Sequence, residues 1–206
     1  MYHYAAHELS TKQNYKFLTG SIIPRPIAWI TTIDPTTRVV NAAPFSYFNV
    51  VSKELPLVSV SINRKPDGQI KDTARNLLAQ KEAVIHLVND TVLTAMNQTA
   101  APLEATESEL LGTSLTLVDS NHVKVPAIAE APIRFETLLH QYVPLKHQEQ
   151  IITDLFILEV TDYYFQPEIF DHEKQYILPE KFSPIARLAG DNYSHIDHFI
   201  QLKRPD

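Results

Sequence analysis

The balance of proline and glycine is the sequence feature that most restricts the fold of this chain. Its 206 residues include 14 prolines but only four glycines. The glycines stand far apart, at positions 20, 68, 112 and 190. None forms the G-x-G-x-x-G or Walker-type loop that cradles phosphate in the common nucleotide-binding folds. The sequence therefore predicts ligand sites that do not depend on glycine-rich loops.

The absence of cysteine narrows the possible chemistry. It excludes disulfides, thiolate nucleophiles and cysteine-ligated metal centres. Redox chemistry in this chain would therefore need a bound organic cofactor, or a metal held by histidine and carboxylate.

Charge and hydrophobicity exclude two further classes of partner. The net charge is −6, and no basic block is dense enough to bind nucleic acid or anionic lipid. No apolar run approaches the roughly 18 residues that a membrane helix needs. The N-terminal residues lack the apolar centre of a signal peptide. We therefore expect a cytoplasmic protein that binds neither nucleic acid nor membrane.

Apolar periodicity predicts a mainly β protein. Helices are predicted at 11–19, with Ser10 as N-cap and Gly20 as the stop, at 73–79, and from an Asp90 cap towards Asn97. Strands are predicted at 27–33, 57–62, 83–88, 114–118, 133–143 and 150–160, with a hairpin turn near 144–147. Many short strands between few helices indicate a β-barrel with helical insertions. No linker or repeat is evident, so residues 1–206 are assigned to one domain.

Two segments near the N-terminus carry candidate binding residues. In 23–32, prolines bracket Arg25 before a strand and present a permanent cation at its entrance. A rigid loop with a solvated arginine explains this segment equally well.

The second segment, 41–49, is too irregular for a helix and too polar for a core strand. In it, small residues adjoin three aromatic ones. Backbone could there approach a flat ring, and an aromatic mini-core under a loop is the alternative.

The third segment, 63–73, places cations before a helix. The N–H groups at a helix N-terminus lack intrahelical partners and can bind phosphate. Lys71 would add a charge and Thr73 a hydroxyl. Asp72 would stabilise the helix as its N-cap but would repel phosphate. A capped surface helix with solvated charges is therefore the alternative.

Taken in this order, the segments resemble the flavin reductase-like, FMN-binding split-barrel proteins. The matching motifs are Ile-Pro-Arg-Pro-Ile-Ala-Trp-Ile-Thr-Thr (23–32), Asn-Ala-Ala-Pro-Phe-Ser-Tyr-Phe-Asn (41–49), Lys-Asp-Thr-x-x-Asn (71–76) and Arg-Leu-x-Gly-x-x-Tyr (187–193). The resemblance covers about residues 10–195. It implies a six-stranded antiparallel split barrel of Greek-key type, and a homodimer with an FMN at each subunit junction.

The resemblance also implies which residues contact the cofactor. Residues 29–32 would follow the first strand to it, residues 46–49 would lie along the isoalloxazine ring, and residues 61–64 and 71–73 would hold the ribityl chain and phosphate. The full set is Arg25, Trp29, Thr31, Thr32, Ser46, Tyr47, Phe48, Asn49, Ser61, Asn63, Arg64, Lys71, Asp72, Thr73 and Arg187.

The implied reaction is hydride transfer from NADH or NADPH to bound or exchangeable FMN. The reduced flavin would then serve an acceptor, such as a partner monooxygenase. Because the cofactor supplies the chemistry, no catalytic side chain and no metal ligand is assigned. The sequence leaves open the preferred nicotinamide, the final acceptor and whether FMN is held or exchanged.

Three other functions compete with this one. A non-catalytic FMN-binding electron carrier would share every motif. A pyridoxamine-phosphate-oxidase-like barrel is disfavoured by the motifs at 23–32 and 41–49. Metal-dependent chemistry would use His195 and His198, which could share one helical face. The carboxylates of 104–109 are expected to be a solvated loop.

Overall fold

The computed structural model describes residues 1–196, 198–203 and 205. Within them, the α-helices are α1 (Thr11–Ser21), α2 (Asp72–Gln80), α3 (Asp90–Gln98) and α4 (Pro179–Phe182), with 3-10 turns at Ala6–Glu8 and Pro167–Ile169. The strands are β1 (Ala28–Ile33), β2 (Val40–Phe45), β3 (Phe48–Val50), β4 (Leu57–Asn63), β5 (Glu82–Leu87), β6 (Leu117–Val118), β7 (Ala127–Ile128), β8 (Ile133–His147), β9 (Gln150–Phe165), β10 (Phe170–Asp171), β11 (Tyr176–Ile177), β12 (Ile185–Arg187) and β13 (Tyr193–His195).

Seven strands form one antiparallel sheet in the order β2-β1-β5-β8-β9-β4-β3. The chain passes from one edge strand, β2, to the other, β3, through only Ser46 and Tyr47. Three peptide steps span at most roughly 11 Å, so the sheet must curl until its edges approach each other. At this junction the Ser61 N–H donates to the Tyr47 carbonyl oxygen at 2.9 Å. The predicted mainly β barrel is confirmed, with seven strands in its main sheet instead of six.

Strand β1 is buried along its whole length because both of its faces pack against apolar residues. Ala28 and Ile30 point into the barrel, where they meet Val60, Ile85 and Phe156. Trp29 points outward and packs against α3 and the segment around β12. The continuous apolar run of this strand thus reflects burial on two sides.

The helices close opposite sides of this strand. Helix α2 contributes Ala74 and Leu77 to the barrel core, and α3 contributes Val92 and Met96 to the outer cluster around Trp29. None of the helices in the described part of the chain has the length and apolar composition needed to cross a bilayer.

Several boundaries of the predicted helices and strands are wrong. Helix α1 has the Ser10 cap but continues through Gly20 to Ser21. The N-caps of α2 and α3 are Lys71 and Asn89, each one residue before the predicted aspartate. Segment 41–49 forms β2 and β3, and the strand expected at 114–118 is reduced to β6.

The long hairpin is confirmed but its turn is displaced. Strands β8 and β9 are joined at Gln148 and Glu149, both of which have positive φ angles of 46° and 64°. Two-residue hairpin turns of this kind normally contain asparagine or glycine. Pro144 lies within β8, where it faces Asp154.

Candidate functional site

A cavity of about 580 Å³ lies where the two edges of the curled sheet meet α1 and the β12–β13 hairpin. Residues from five separate parts of the chain line it. Of the residues proposed from the sequence, seven lie on its wall: Arg25, Ser46, Tyr47, Ser61, Asn63, Lys71 and Arg187.

Lys71 supplies a cation to this wall. Its side chain is half-buried, and its ammonium nitrogen lies 5.8 Å from the centre of the Phe45 ring. Burial, reinforced by the nearby charge of Lys65, lowers the pKa of Lys71 from its ordinary value. Among the described residues no carboxylate comes within 4.0 Å of this ammonium group. Lys71 therefore presents an unpaired charge to the cavity.

The start of α2 adds hydrogen-bond donors beside Lys71. The helix begins at Asp72, and no side chain caps its first N–H groups. These groups lack intrahelical partners and carry the positive end of the helix dipole. A cation on the cavity wall thus stands next to free backbone donors at the start of α2, and this combination suits a phosphate.

Asp72 does not oppose this arrangement. Its carboxylate bonds to Arg75 on the next turn of α2 and lies 3.7 Å from the Lys65 ammonium nitrogen. Two cations therefore neutralise it. The repulsion that the sequence suggested is removed because this side chain turns back along its own helix.

Arg25 is an anchor between three parts of the cavity wall. Its guanidinium donates to the carbonyl oxygens of Thr19 and Ile22 at the end of α1 and to that of Leu188, at 2.6, 2.8 and 2.8 Å. Its Nε atom lies 3.4 Å from Ser46 Oγ. The side chain is buried, so the solvated arginine of the alternative reading is wrong.

The hairpin of β12 and β13 covers one side of the cavity. Arg187 exchanges backbone hydrogen bonds with Arg25, and its guanidinium lies 4.6 Å from the centre of the Tyr193 ring. The Tyr193 hydroxyl donates to Asn97 Oδ1 on α3 at 2.9 Å. The turn can close because Gly190 adopts a positive φ of 63°.

Three residues proposed from the first strand are turned away from the cavity. Trp29 is fully buried and its indole N–H donates to Thr99 Oγ1 at 2.9 Å. Thr31 is buried and donates to the Pro126 carbonyl oxygen. Thr32 bonds within the buried network described next. These three side chains do not line the cavity, and their contact with a cofactor stays a prediction.

A buried polar network holds the start of α2 against the sheet. Asn41 Oδ1 accepts hydrogen bonds from Thr73 at 2.8 Å and Thr32 at 3.5 Å. Its amide group donates to Glu109 at 2.6 Å. Glu109 is half-buried, which raises the pKa of its carboxyl group. The solvated loop expected at 104–109 is therefore wrong at Glu109, and Thr73 has a structural partner.

Arg64 is engaged with a buried acid. Its guanidinium forms two hydrogen bonds with Asp154, at 3.0 and 3.1 Å, and the Asp154 side chain is 0% exposed. The Tyr142 hydroxyl donates to the same carboxylate at 2.7 Å. These bonds raise the pKa of Arg64. Arg64 does not line the cavity, so its predicted contact with a phosphate has no support from this geometry.

Phe48 and Asn49 lie just beyond the wall on β3. Phe48 packs against the barrel core, and exposed Asn49 accepts the N–H of Val50 through its side chain. Contact between either residue and a cofactor stays a prediction.

Sequence reasoning missed several residues of the cavity wall. Tyr15 and Thr19 come from α1, Asn97 and Ala100 from the end of α3, and Tyr193 from β13. Tyr15 also affects Tyr47 across the cavity wall, because burial and the nearby Tyr15 raise the pKa of Tyr47. Of the missed residues, Tyr193 alone belonged to a recognised motif. The others lie on α1 and α3 or, for Ala100, just after α3, in segments that carry no motif.

The proposed histidine pair does not form a helical metal site. His195 ends β13, so it lies on a strand, and its Nδ1 atom is 3.3 Å from Asp90. Asp197, between the two histidines, lies outside the described residues.

A curled antiparallel barrel with such a cavity defines a cofactor-binding protein of the split-barrel class. The profile of the flavin reductase like domain matches residues 19–179. The chain belongs to this family. The YwrF protein of Bacillus subtilis (strain 168) is 44% identical over 206 residues and covers all of both chains.

Two solved structures support the same assignment. Nitrilotriacetate monooxygenase component B from Bacillus cereus is 40% identical, covers 98% of both chains and superposes with a TM-score of 0.93. The 2-nitrobenzoate 2-nitroreductase NbaA of Pseudomonas fluorescens is 29% identical, covers 99% of this chain and 96% of its own, and has a TM-score of 0.87.

Proposed function

We propose that this protein is an FMN-dependent oxidoreductase that takes its electrons from NADH or NADPH. The observation that carries the proposal is Lys71, a half-buried cation without a carboxylate partner among the described residues. It stands at the uncapped start of α2, on the wall of a 580 Å³ cavity. A phosphorylated cofactor would supply the negative charge that this end of the cavity lacks.

The cavity residues fit the parts of FMN. Lys71 and the first N–H groups of α2 would hold the phosphate, and the outward side chains of β4, Ser61 and Asn63, would meet the ribityl chain. Backbone and aromatic groups at Phe45 and Tyr47 would flank the ring. Bound flavin supplies two-electron redox chemistry, which accepts a hydride from a reduced nicotinamide and delivers electrons to an acceptor.

The protein's own residues provide position and shelter. Arg25 fixes the end of α1 and the turn after β12 at the same edge of the cavity. Tyr193, tied to Asn97, holds the β12–β13 hairpin against α3. Such fixed walls keep a ligand oriented and limit water access, which favours hydride transfer at a set distance.

Exposed apolar residues near the cavity support a homodimer. Leu18 on α1 and Ile22, directly after this helix, are each 60% exposed, and Val50 on β3 is 70% exposed. Clusters of exposed apolar side chains commonly mark protein interfaces. A dimer in the cytoplasm, with both chains lining each site, is therefore part of the proposal. Light scattering at micromolar concentration should give twice the 23.4 kDa chain mass.

Two acceptors are suggested by the relatives. The protein that is 40% identical is a monooxygenase component, so a partner monooxygenase is the first candidate. The protein that is 29% identical is a nitroreductase, so a nitroaromatic compound is the second. Reduction of a nitro compound by the purified chain alone would favour the second acceptor.

The direct test is an absorbance scan of the purified protein with added FMN, followed by NADH or NADPH under argon. We expect a yellow complex that is bleached by one or both nicotinamides. FMN without bleaching would instead indicate the electron carrier. Riboflavin should bind at least about tenfold more weakly than FMN, because it lacks the phosphate that Lys71 would pair with. Equal affinities would contradict the phosphate site.

A further inference from the structure

A second cavity of about 430 Å³ lies at the far end of the long hairpin, beside the first residues of β8 and the last of β9. Its walls include Ala131, Pro132, Arg134, Tyr164 and Gln166. It shares no wall residue with the cavity around Lys71. Whatever it binds, it does so independently of the proposed flavin site.

Arg134 is the charged group on this wall. It stands opposite Tyr164 on the neighbouring strand, and its guanidinium carbon lies 4.9 Å from the centre of the tyrosine ring. Within the part of the chain that the structure describes, its guanidinium makes no hydrogen bond and meets no carboxylate within 4.0 Å. Arg134 is partly buried, yet all its donors are available.

Two acids lie in this region. Glu136 accepts backbone N–H groups from three consecutive residues, 121–123, and the hydroxyl of Tyr164 at 2.7 Å. Asp162 Oδ2 lies 2.6 Å from His122 Nδ1 but accepts no hydrogen bond among the described residues. Neither carboxylate neutralises Arg134 directly. The bond from Tyr164 to Glu136 also fixes the ring on which the guanidinium rests.

The rest of the wall is formed by Ala129, Pro132, Gln166 and Pro167 and by the β9 residues 163 and 165. On the opposite face of the hairpin, Phe135, Tyr163, Phe165 and Phe170 form a series of ring contacts, with centroids 5.1, 6.2 and 4.7 Å apart, which stiffens the strands that carry Arg134 and Tyr164. Pro132 and Pro167 restrict the backbone on the other sides. Gln166 is held by its side-chain amide, which donates to the Glu130 carbonyl oxygen at 3.3 Å. A ligand would therefore meet a preformed site.

We propose that this cavity binds an organic carboxylate, with Arg134 as the residue that recognises the carboxylate group. The planar fork of a guanidinium matches the two oxygens of a carboxylate. Pro132, Pro167 and the ring of Tyr164 would contact the apolar body of the ligand. No acid on the wall competes for the guanidinium.

Sodium benzoate is the probe, measured by isothermal titration calorimetry. We expect roughly millimolar affinity or tighter, which is ordinary for a fragment-sized ligand. Benzamide, which has the same shape without the charge, should bind at least about tenfold more weakly. Inorganic phosphate should be similarly weak because it has no apolar body. Equal binding of benzoate and benzamide, or of benzoate and phosphate, would overturn the proposal.

Variants locate the binding to this cavity. R134Q should weaken benzoate binding by about tenfold or more. R134K keeps the charge but loses the planar fork, so its benzoate affinity should lie between those of the wild type and R134Q. R38Q is the matched control because Arg38 is exposed and lies in another turn, and it should bind benzoate like the wild type. Thermal melts verify that each variant is folded. Unchanged benzoate affinity in both R134K and R134Q would contradict the proposal.

Discussion

Arg64 and Lys71 come from one cationic segment, but the fold gives them opposite environments. Arg64 forms two hydrogen bonds with Asp154, whose side chain is 0% exposed. Lys71, seven positions later, has a second cation and an aromatic ring nearby and no carboxylate partner in the described part of the chain. Asp154 lies on β9, about 90 residues away from Arg64 in the sequence. A distant acid thus determines which of two neighbouring cations is free to bind a ligand.

The comparison teaches that a cation contributes to a ligand site only when the fold does not neutralise it. Removing Arg64 should therefore change the stability of the protein, while removing Lys71 should change ligand affinity. A third group, His86, extends the comparison to a buried imidazole, whose two ring nitrogens each lie at hydrogen-bonding distance from a backbone group.

The largest effect is expected for R64Q. Loss of the guanidinium leaves Asp154 buried with only the Tyr142 hydroxyl, and breaking such a pair costs about 3 kcal/mol of unfolding free energy. Urea unfolding would measure this loss. FMN affinity should change by no more than a factor of about two, as for a residue remote from the ligand.

The double variant R64Q/D154N is the control for this change. Its neutral pair should recover part of the lost stability, because no unpaired buried charge remains. A large loss of FMN affinity with unchanged stability would show that Arg64 acts at the cofactor and would abolish the contrast.

For K71Q the FMN dissociation constant should rise by roughly 10–100-fold, equivalent to about 1.5–3 kcal/mol, because a charge-assisted hydrogen bond to the phosphate is lost. Fluorescence titration with FMN and riboflavin would measure it, and riboflavin affinity should be unaffected. The unfolding free energy without ligand should not fall, because no ion pair is lost and the lowered pKa of Lys71 indicates that burial disfavours its charge.

K65Q is the matched control for K71Q. Lys65 lies 3.7 Å from Asp72 and does not line the cavity, so its removal should weaken FMN binding much less. Equal effects of the two variants would mean that general positive charge, not Lys71 itself, attracts the phosphate.

The smallest expected effect is a loss of folding stability with falling pH, counted per pH unit. His86 is fully buried, its Nδ1 atom lies 2.9 Å from the Trp29 carbonyl oxygen, and its Nε2 atom accepts the Ile128 N–H at 2.9 Å. Burial lowers its pKa from 6.5 to about 3. Between these values the unfolded chain takes up a proton that the folded chain does not, so stability is lost as pH falls below 6.5.

The expected loss from His86 is about 1.4 kcal/mol per pH unit within this window. Urea unfolding at pH 7.0, 6.0 and 5.0 would measure it. The H86Q variant should lose this contribution to the slope, whatever its stability at pH 7.0. An identical pH slope in the variant would show that other groups cause the acid sensitivity.

Local sequence signals found most elements but placed their ends poorly. Ser10 capped α1 as predicted, because its side chain and that of Gln13 form a capping box. Gly20 did not end the helix, because a single glycine permits a helix to end but does not force it to. The Gln148–Glu149 turn was missed because neither residue is typical of the positive φ angles that it needs. The strand alternation of 57–62 survived because one face of β4 packs into the barrel.

The site was recovered in part for the same reason. Lys71 was proposed from a local motif and Ser61 from the family resemblance, and both line the cavity. Tyr15 and Asn97 were missed because they reach the cavity only through the placement of α1 and α3. Trp29 was expected at the cofactor because the family resemblance implied it, but side chains alternate along a strand and its own face is turned to α3.

The sequence by itself determined the chemical repertoire of this protein. It excluded thiol chemistry and glycine-loop nucleotide binding, and its ordered motifs identified the family. Only the tertiary structure decided which charges remain available. Pairing depends on residues brought together across the curled sheet, so Asp154 neutralises Arg64 while Lys71 and Arg134 have no such partner among the described residues.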